Sequence, residues 1–517
     1  MQPNQILSRL LAATLATLCG QIVFADEPKQ PNIIIFLADD LGYADIGVNG
    51  CKDIPTPHID SIAQHGVRFT DGYATHSVCS PSRAGLMSGM YQHRFGFEHN
   101  SGPERFADPN FGMPRSVPSL AEKLKTAGYA TGMIGKWHIG FKEGLRPHER
   151  GFDYHYGFLS GAHGYLPSKA DNDPIVRNGV PVKPTKYLTD EFADEAVAFL
   201  DRSKDKPFLL YLPFNAVHSP LDANAYQERF PNLTGKRKTF AGMLTALDTT
   251  IGRVMAKVRE QGQEENTLVF FYSDNGGPTS DNSSLNTPLR GFKAQFYEGG
   301  IRVPFLMQWK GKLPAGTEFK QPVMGFDVHA TALAACGISR PEDKPLDGVN
   351  LLPHLLGEVR TRPHEQLFWR AGQQHAARVG DWKLVDTRNE PPMLFNLKDD
   401  IGERNDLAAA QPHKLKELQA AFAEWEKGTQ PAQWVRQDAR TQGGAANKGT
   451  PAAGNRMQAA LKAADKNGDG KLSREEFPQP AIFQEIDKDN DGFATREEIQ
   501  AYYAARRNQA LPKQEKP

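Results

Sequence analysis

The sequence predicts an α/β protein: a large domain with a mostly parallel mixed sheet between helices, then a smaller antiparallel-sheet subdomain and a small all-α tail. Three observations lead there. "NIIIFLADD" (32–40), "KPFLLYLPFNAVH" (206–218) and "TLVFFYSDNGG" (267–277) are continuous apolar runs of strand length that end abruptly in acids, amides or histidine. Between them lie helical patterns. "SVPSLAEKLKTAGYA" (116–130) has Pro118 and Ser119 suited to a helix start and Gly128 to a stop, and "FAGMLTALDTTIGRVMAKVREQG" (240–262) is a longer one. After about Asp347 come shorter strand candidates, "EQLFWRA", "HAARVGDWKLVD" and "PMLFNLKDD", and then the helix "PHKLKELQAAFAEWEKG".

Taken in chain order, the first element is a leader. Arg9, the apolar "LLAATLATLCGQIVF" and the small-residue end "VFA" before Asp26 have the order of an export signal with cleavage after Ala25. Leu18 stands before Cys19 where lipid attachment would need a small residue, and no other apolar run reaches the ~20 residues that span a bilayer. The expected location is therefore secreted or periplasmic, without a membrane anchor. The large domain is expected over 26–345, the subdomain over 346–435, a Gly/Ala-rich linker over 436–455 and the tail unit over 456–508. The 61 basic and 61 acidic residues balance, which argues against nucleic acid as a partner. Removal of the leader leaves Cys51, Cys79 and Cys336, an odd number for an oxidising compartment.

In such a sheet the polar strand exits converge on one crevice. Asp39 and Asp40 end the first strand and Asp274 with Asn275 ends another, an oxygen-only set suited to Ca²⁺ or Mg²⁺ rather than zinc. Arg83, Lys136, His138, His218, Lys293 and Arg302 supply positive charge and donors for a compact dianion or polyanionic ester. Cys79 lies in "CSPSRAGLMSG", just before an expected helix in which Pro81 takes an early position. The helix start and Arg83 would favour a thiolate there, yet a thiolate is a poor companion for a hard cation.

In the tail, "DKNGDGKLSREE" (465–476) and "DKDNDGFATREE" (487–498) each fit the twelve-position EF-hand loop. The expected ligands are Asp465, Asn467, Asp469, the Lys471 carbonyl and Glu476, and then Asp487, Asp489, Asp491, the Phe493 carbonyl and Glu498. The unit resembles the EF-hand family, with a compact, dockerin-like spacing that Pro478 and Pro480 enforce, and Ala494 replaces a larger apolar residue. A calcium-stabilised appendage or a partner-docking module is expected.

"CSPSRAGLMSG" resembles the signature of type I sulfatases, in which the cysteine becomes Cα-formylglycine. The resemblance spans roughly 30–435, with "PNIIIFLADDLG", "TPHIDSIAQHGVRFTDGYA", "GKWHIG", "RGFDYHYGF", "SDNGG", "YEGGIRVP" and "LFNLKDDIGERNDLA" in family order. It implies an alkaline-phosphatase-like fold. Asp39, Asp40, Asp274 and Asn275 resemble the Ca²⁺ ligands, completed by the modified Cys79. Arg83, Lys136 and His138 correspond to the group that orients and activates the formylglycine hydrate, and His218 and Lys293 to contacts on the sulfate and leaving oxygen. Phe292 departs from the pattern, since many relatives carry glycine there.

The resemblance implies a hydrated aldehyde with two hydroxyls on one carbon. One attacks sulfur and expels the alcohol, with His218 as general acid; proton loss from the other then restores the aldehyde and releases sulfate. The expected function is an exported calcium-dependent sulfatase acting on a sulfated carbohydrate or aryl sulfate ester, matured by a formylglycine-generating or equivalent enzyme. Two alternatives stand beside it: a phosphonate or phosphate ester hydrolase of the same superfamily, and a non-catalytic calcium-dependent binder of sulfated glycans. The segments 157–169, 224–238 and 368–379 are expected around the outer pocket.

Overall fold

The computed structural model describes residues 30–434 except 103–107, 109, 168–173, 340–345 and 389, and, further on, 467, 471–477, 482–495, 498, 499 and 502. The leader expected at 1–25 and the linker expected at 436–455 lie outside the described residues. Two compact units divide the chain, Met1–Arg436 and Gln437–Pro517.

In the first unit the strands are β1 (Asn32–Ala38), β2 (Val67–Phe69), β3 (Gly72–Tyr73), β4 (Ala130–Lys136), β5 (Tyr154–Phe158), β6 (Val176–Arg177), β7 (Val180–Pro181), β8 (Phe208–Pro213), β9 (Thr267–Ser273), β10 (Phe305–Trp309), β11 (Thr317–Phe319) and β12 (Val323–Met324). Ten of them form one sheet in the order β11-β2-β10-β9-β1-β8-β4-β5-β6-β7. From β9 to β5 every pairing is parallel, while β10 joins β9, and β6 joins β5, antiparallel.

Why the central strands read as unbroken apolar runs follows from the two-residue period of a strand covered on both faces. In β1, Ile34, Phe36 and Ala38 face a core shared with the helices Pro57–Gln64, Leu188–Ser203 and Gly235–Glu260. Ile33, Ile35 and Leu37 face another, shared with Cys79–Ser88, Leu120–Thr126 and Phe326–Ala335. Full burial of each such side chain contributes about 1.5–3 kcal/mol.

Local signals place the helix ends. Ser119 caps Leu120–Thr126 in a reciprocal pair with Glu122, and Gly128 follows at φ 88°. The long helix begins at Gly235 rather than at the expected Phe240, so "GKRKT" is helical as well.

β13 (Gln366–Ala371), β14 (Gln374–Val379), β15 (Trp382–Asp386) and β16 (Met393–Asn396) make a four-stranded antiparallel sheet within the first unit. The single run expected at "HAARVGDWKLVD" is a hairpin, because Gly380, at φ 59°, turns the chain where a side chain would strain it. Leu418 and Phe422 of the helix Pro412–Glu426 share a core with this sheet, as do Tyr73, Phe296 and Tyr297 from the large-sheet side. A buried ion network reinforces that junction: Lys383 of β15 lies 2.7 Å from Glu298 and 2.8 Å from Glu403, all three side chains fully buried.

Candidate active site

Because β9, β1 and β8 are adjacent and parallel, their C-terminal ends open on the same edge of the sheet. Asp39 and Asp40 leave β1, Asp274 and Asn275 leave β9, His218 follows β8, and Lys136 is the last residue of β4. Asp40 N–H donates to Asp274 Oδ1 at 3.3 Å, and Asn275 Nδ2 donates to Asp40 Oδ1 at 2.7 Å. Glycine at 276 is required by close approach, since a Cβ there would lie 1.9 Å from the Gly299 carbonyl oxygen. The "SDNGG" turn is thereby locked against "YEGG".

The helix Cys79–Ser88 is buried along its whole length. Cys79 is its first residue and not, as expected, the one before it. The N-cap is Val78, whose side chain cannot cap; Asn100 Oδ1 instead accepts the Ser80 N–H at 3.0 Å. The Cys79 Sγ lies 3.5 Å from Asp39 Oδ1.

Three carboxylates face three cations. Lys136 Nζ donates to Asp39 Oδ2 at 2.6 Å, Arg83 Nε donates to Asp274 Oδ2 at 2.9 Å, and Lys293 Nζ lies 2.7 Å from Asp40 Oδ1 and 2.8 Å from Oδ2. Arg83 also donates to the Lys136 carbonyl oxygen at 2.9 Å. Asp39 is fully buried, which alone would raise its pKa, yet Lys136, His218, Arg83 and Lys293 hold it well below the usual carboxylate range. Asp274 is pushed up by burial and by Asp39. Burial also pushes the Cys79 thiol up to about 12, against the pull of Lys136 and Lys293. The thiolate that the helix start and Arg83 would favour is therefore not the state of this residue at neutral pH: desolvation outweighs the neighbouring charge.

Of the two histidines, His138 is buried, and desolvation together with Lys136 and Arg83 keeps its ring neutral. Its Nε2 donates to Ser101 O at 3.0 Å, which leaves Nδ1 as a buried acceptor without a partner among the described residues. His218 stands closer to the open side: Nδ1 donates to Ser219 O at 2.5 Å and Nε2 lies 3.6 Å from Asp40 Oδ2. The backbone is left-handed at Asp40 (φ 62°), His138 (φ 60°) and Ala294 (φ 70°). Such non-glycine conformations cost about 1–3 kcal/mol each and cluster at functional sites.

One ligand atom each from Asp39, Asp40, Cys79 and His218 falls within 4.8 Å of the others. Asn275 Oδ1 is buried with no hydrogen-bond partner among the described residues, an oxygen that a hard cation would satisfy. Asp39, Asp40, Asp274 and Asn275 supply hard oxygens that fit Ca²⁺, although Asp274 is not one of the four groups converging within 4.8 Å, and the Cys79 thiol and His218 imidazole are the softer neighbours.

Some contributors carried no signal in the sequence. Ser101 and Asn100 tie His138 to the start of the cysteine helix, and Asn282 Nδ2 donates to the carbonyls of Asp40 and Val217 at 3.2 and 3.1 Å. A cleft of about 480 Å³ reaches the site at Lys293 and takes Ala371 and Gln374 from the small sheet and Arg388 from the turn after β15. Of the three segments expected around it, 368–379 lines this cleft through Ala371 and Gln374; in 157–169, Tyr165 bonds the carbonyls of Asn215 and His218.

In the second unit, Asp465 and Asp469 lie outside the described residues, as does Gly470. Asn467 is described, Lys471 Nζ lies 3.5 Å from Asp491, and Glu476 accepts from Ser473 N–H and Oγ. Carboxylate oxygens of Asp487, Asp489 and Asp491 converge within 4.8 Å. Glu498 spans the second loop, accepting from Lys488 N–H at 2.8 Å and from Thr495. Leu472–Ser473 (β17) pairs antiparallel with Phe493–Ala494 (β18), and Leu472 opposite Ala494 sets the two loops' eighth positions against each other.

Comparison with known proteins agrees with this geometry. The profile of the sulfatase family matches residues 31–338, and an EF-hand profile matches 457–478 and 481–501. N-acetylgalactosamine-6-sulfatase of Sus scrofa is 33% identical over 445 residues, covering 76% of this chain and 84% of its own. The uncharacterized sulfatase YdeN of Escherichia coli (strain K12) is 30% identical over 495 residues, covering 78% and 86%. The crystal structure of Ps i-CgsB in complex with k-i-k-neocarrahexaose superposes with a TM-score of 0.76 at 36% identity, covering 80% of this chain and 96% of that one. With its alkaline-phosphatase-like α/β fold, the chain belongs to the sulfatase family, hydrolases of sulfuric esters.

Proposed function

We propose that this protein is an exported, calcium-dependent sulfatase of sulfated carbohydrates that uses a formylglycine hydrate made from Cys79. The observation that carries the reading is the position of Cys79. It is the first residue of a buried helix, its Sγ lies 3.5 Å from Asp39 Oδ1, and it converges with Asp39, Asp40 and His218 where a soft sulfur is a poor companion for a hard cation. Conversion by a maturation enzyme to an oxygen-bearing group would remove that mismatch. At position 79 the hydrate would supply the hydroxyl nucleophile for sulfur, and calcium held by Asp39, Asp40, Asp274 and Asn275 would supply Lewis-acid stabilisation.

The chain's own residues do the rest. Lys136 keeps Asp39 charged, and Arg83 fixes Asp274 at 2.7 Å, both in a dry setting. Neutral His138, with Nδ1 unpaired among the described residues, can accept a hydrogen bond from the nucleophilic hydroxyl at the buried side and orient it, while half-buried His218 on the open side donates to the leaving oxygen. Lys293, at the head of the cleft, offers its ammonium to the transferring group.

A carbohydrate substrate is supported by the similarity to Ps i-CgsB, solved with an oligosaccharide, and to N-acetylgalactosamine-6-sulfatase. Export is supported by the residue order of 1–25. Two measurements on protein matured in an exporting host test the reading. The peptide containing residue 79 should be lighter by about 18 mass units than its encoded cysteine form. Sulfate release from sulfated oligosaccharides should need Ca²⁺. An unmodified, fully active Cys79, or preference for phosphate esters over sulfate esters, would sink it.

A further inference from the structure

Two clefts adjoin at the mouth of the site. The inner one holds Lys293; the outer, of about 530 Å³, is lined by Arg290 and Arg388, and Phe292, Gln374 and Arg388 belong to both. Among the described residues neither arginine makes an ion pair. Arg290 is nevertheless held in place: its Nη1 donates to the Glu403 carbonyl oxygen at 2.9 Å, and the guanidinium lies 4.1 Å from the centre of the Tyr297 ring. Preorganised guanidinium groups that lack a carboxylate suit a planar or tetrahedral oxyanion. Nearby acids restrict where an anion can sit. Glu98 is neutralised by Arg370 at 2.5 Å, Asp386 lies 3.8 Å from His375, and Asp281 and Glu390 line the walls.

Between the two positions stands Phe292, 43% exposed, one of few large apolar side chains left in solvent among the described residues. An exposed ring at a cleft wall is a platform for the apolar face of a sugar, with its edge turned toward neighbouring donors. It lies next to Lys293 in sequence, so a sugar stacked on it spans from the reacting ester toward the arginines.

We infer that Arg290 and Arg388 form a second anion subsite, with Phe292 as the sugar platform between it and the hydrolytic site. The substrate class is then an oligosaccharide bearing a further sulfate or carboxylate beyond the ester that is cut. The assignment rests on the sulfatase reading for which ester reacts, and on the clefts for the second anion.

The test uses the full chain with Cys79→Ala, which binds without turnover, and two oligosaccharides of equal length, one carrying a single sulfate and the other that sulfate plus a second on the neighbouring sugar, followed by calorimetry. The doubly sulfated ligand should bind about tenfold tighter or more, and this preference should vanish in Arg388→Met and shrink in Arg290→Met. Phe292→Gly should weaken both ligands and leave their ratio unchanged. A preference that survives both arginine substitutions, or no preference at all, overturns the subsite. Sulfate release by the protein retaining Cys79 is measured separately: its absence beside an intact preference counts against the hydrolytic reading alone.

Discussion

The protein carries two acidic clusters that solve one problem in opposite ways. At the sheet edge, Asp39, Asp40 and Asp274 are buried and each is held by a lysine or arginine. In the tail, Asp489 and Asp491 are exposed, Asp487 is buried, and their partners are mostly the loop's own backbone N–H groups: Asp487 and Asp489 accept from Asp491, and Asp487 from Gly492. The first site is charge-balanced by the fold, so its geometry exists before any cation arrives. The second is held by the loop's own N–H groups, with Lys471 3.5 Å from Asp491, and leaves its exposed carboxylates the room a loop-type cation site would need. A hydrolytic site needs the former, because fixed charge in a dry setting stabilises developing charge without reorganisation. A stabilising appendage can use the latter.

The sharpest way to separate the two is chemical. Cys79→Ala should lower sulfate release by about 10⁴-fold or more. Its thermal midpoint should move by no more than about 4 °C, because the thiol makes one long polar contact. Next comes charge balance. Lys136→Met removes the nearest counter-charge of the buried Asp39, leaving Arg83 at 3.7 Å, and should cost about 3 kcal/mol in urea unfolding, whereas Asp489→Asn in the exposed loop should stay within about 0.5 kcal/mol in calcium-free buffer. Equal losses would break the distinction.

Calcium itself gives a smaller, local effect. Its addition should protect 456–508 from proteolysis with a Kd of order 10⁻⁴ to 10⁻³ M, and Glu498→Gln should remove protection of the second loop. The gentlest probe is pH. The Thr495 side chain and loop N–H groups hold Glu498 down to about 2 from its ordinary 4.5. Its contribution to the tail's stability is therefore complete above about pH 4.5 and is lost as pH falls through about 2, which hydrogen exchange at the Lys488 and Thr495 amides would report.

Much of this was legible in residue order. The apolar runs at 32–40, 206–218 and 267–277 became β1, β8 and β9 because unbroken burial on both faces leaves few other options for a run of that length. Ser119 and Gly128 marked a helix that begins and ends there. The constellation of Asp39, Asp40, Cys79, Arg83, Lys136, His138, His218, Asp274, Asn275 and Lys293 could be named from strand exits and motifs. Less accessible was whatever depends on a partner distant in sequence. The hairpin at Gly380 was hidden in a run that reads as one strand, since a single glycine does not disclose its φ.

Sequence alone determined the three central strands, the family signature and the two acidic clusters, because periodicity and motif spacing are local properties of the chain. Tertiary structure decided which acid meets which cation, that burial outweighs the neighbouring charge at the Cys79 thiol, and that Arg388 from the turn after β15 reaches the cleft of Lys293. Those outcomes turn on desolvation and on contacts across hundreds of residues, and both exist only once the sheet has brought its strand exits together.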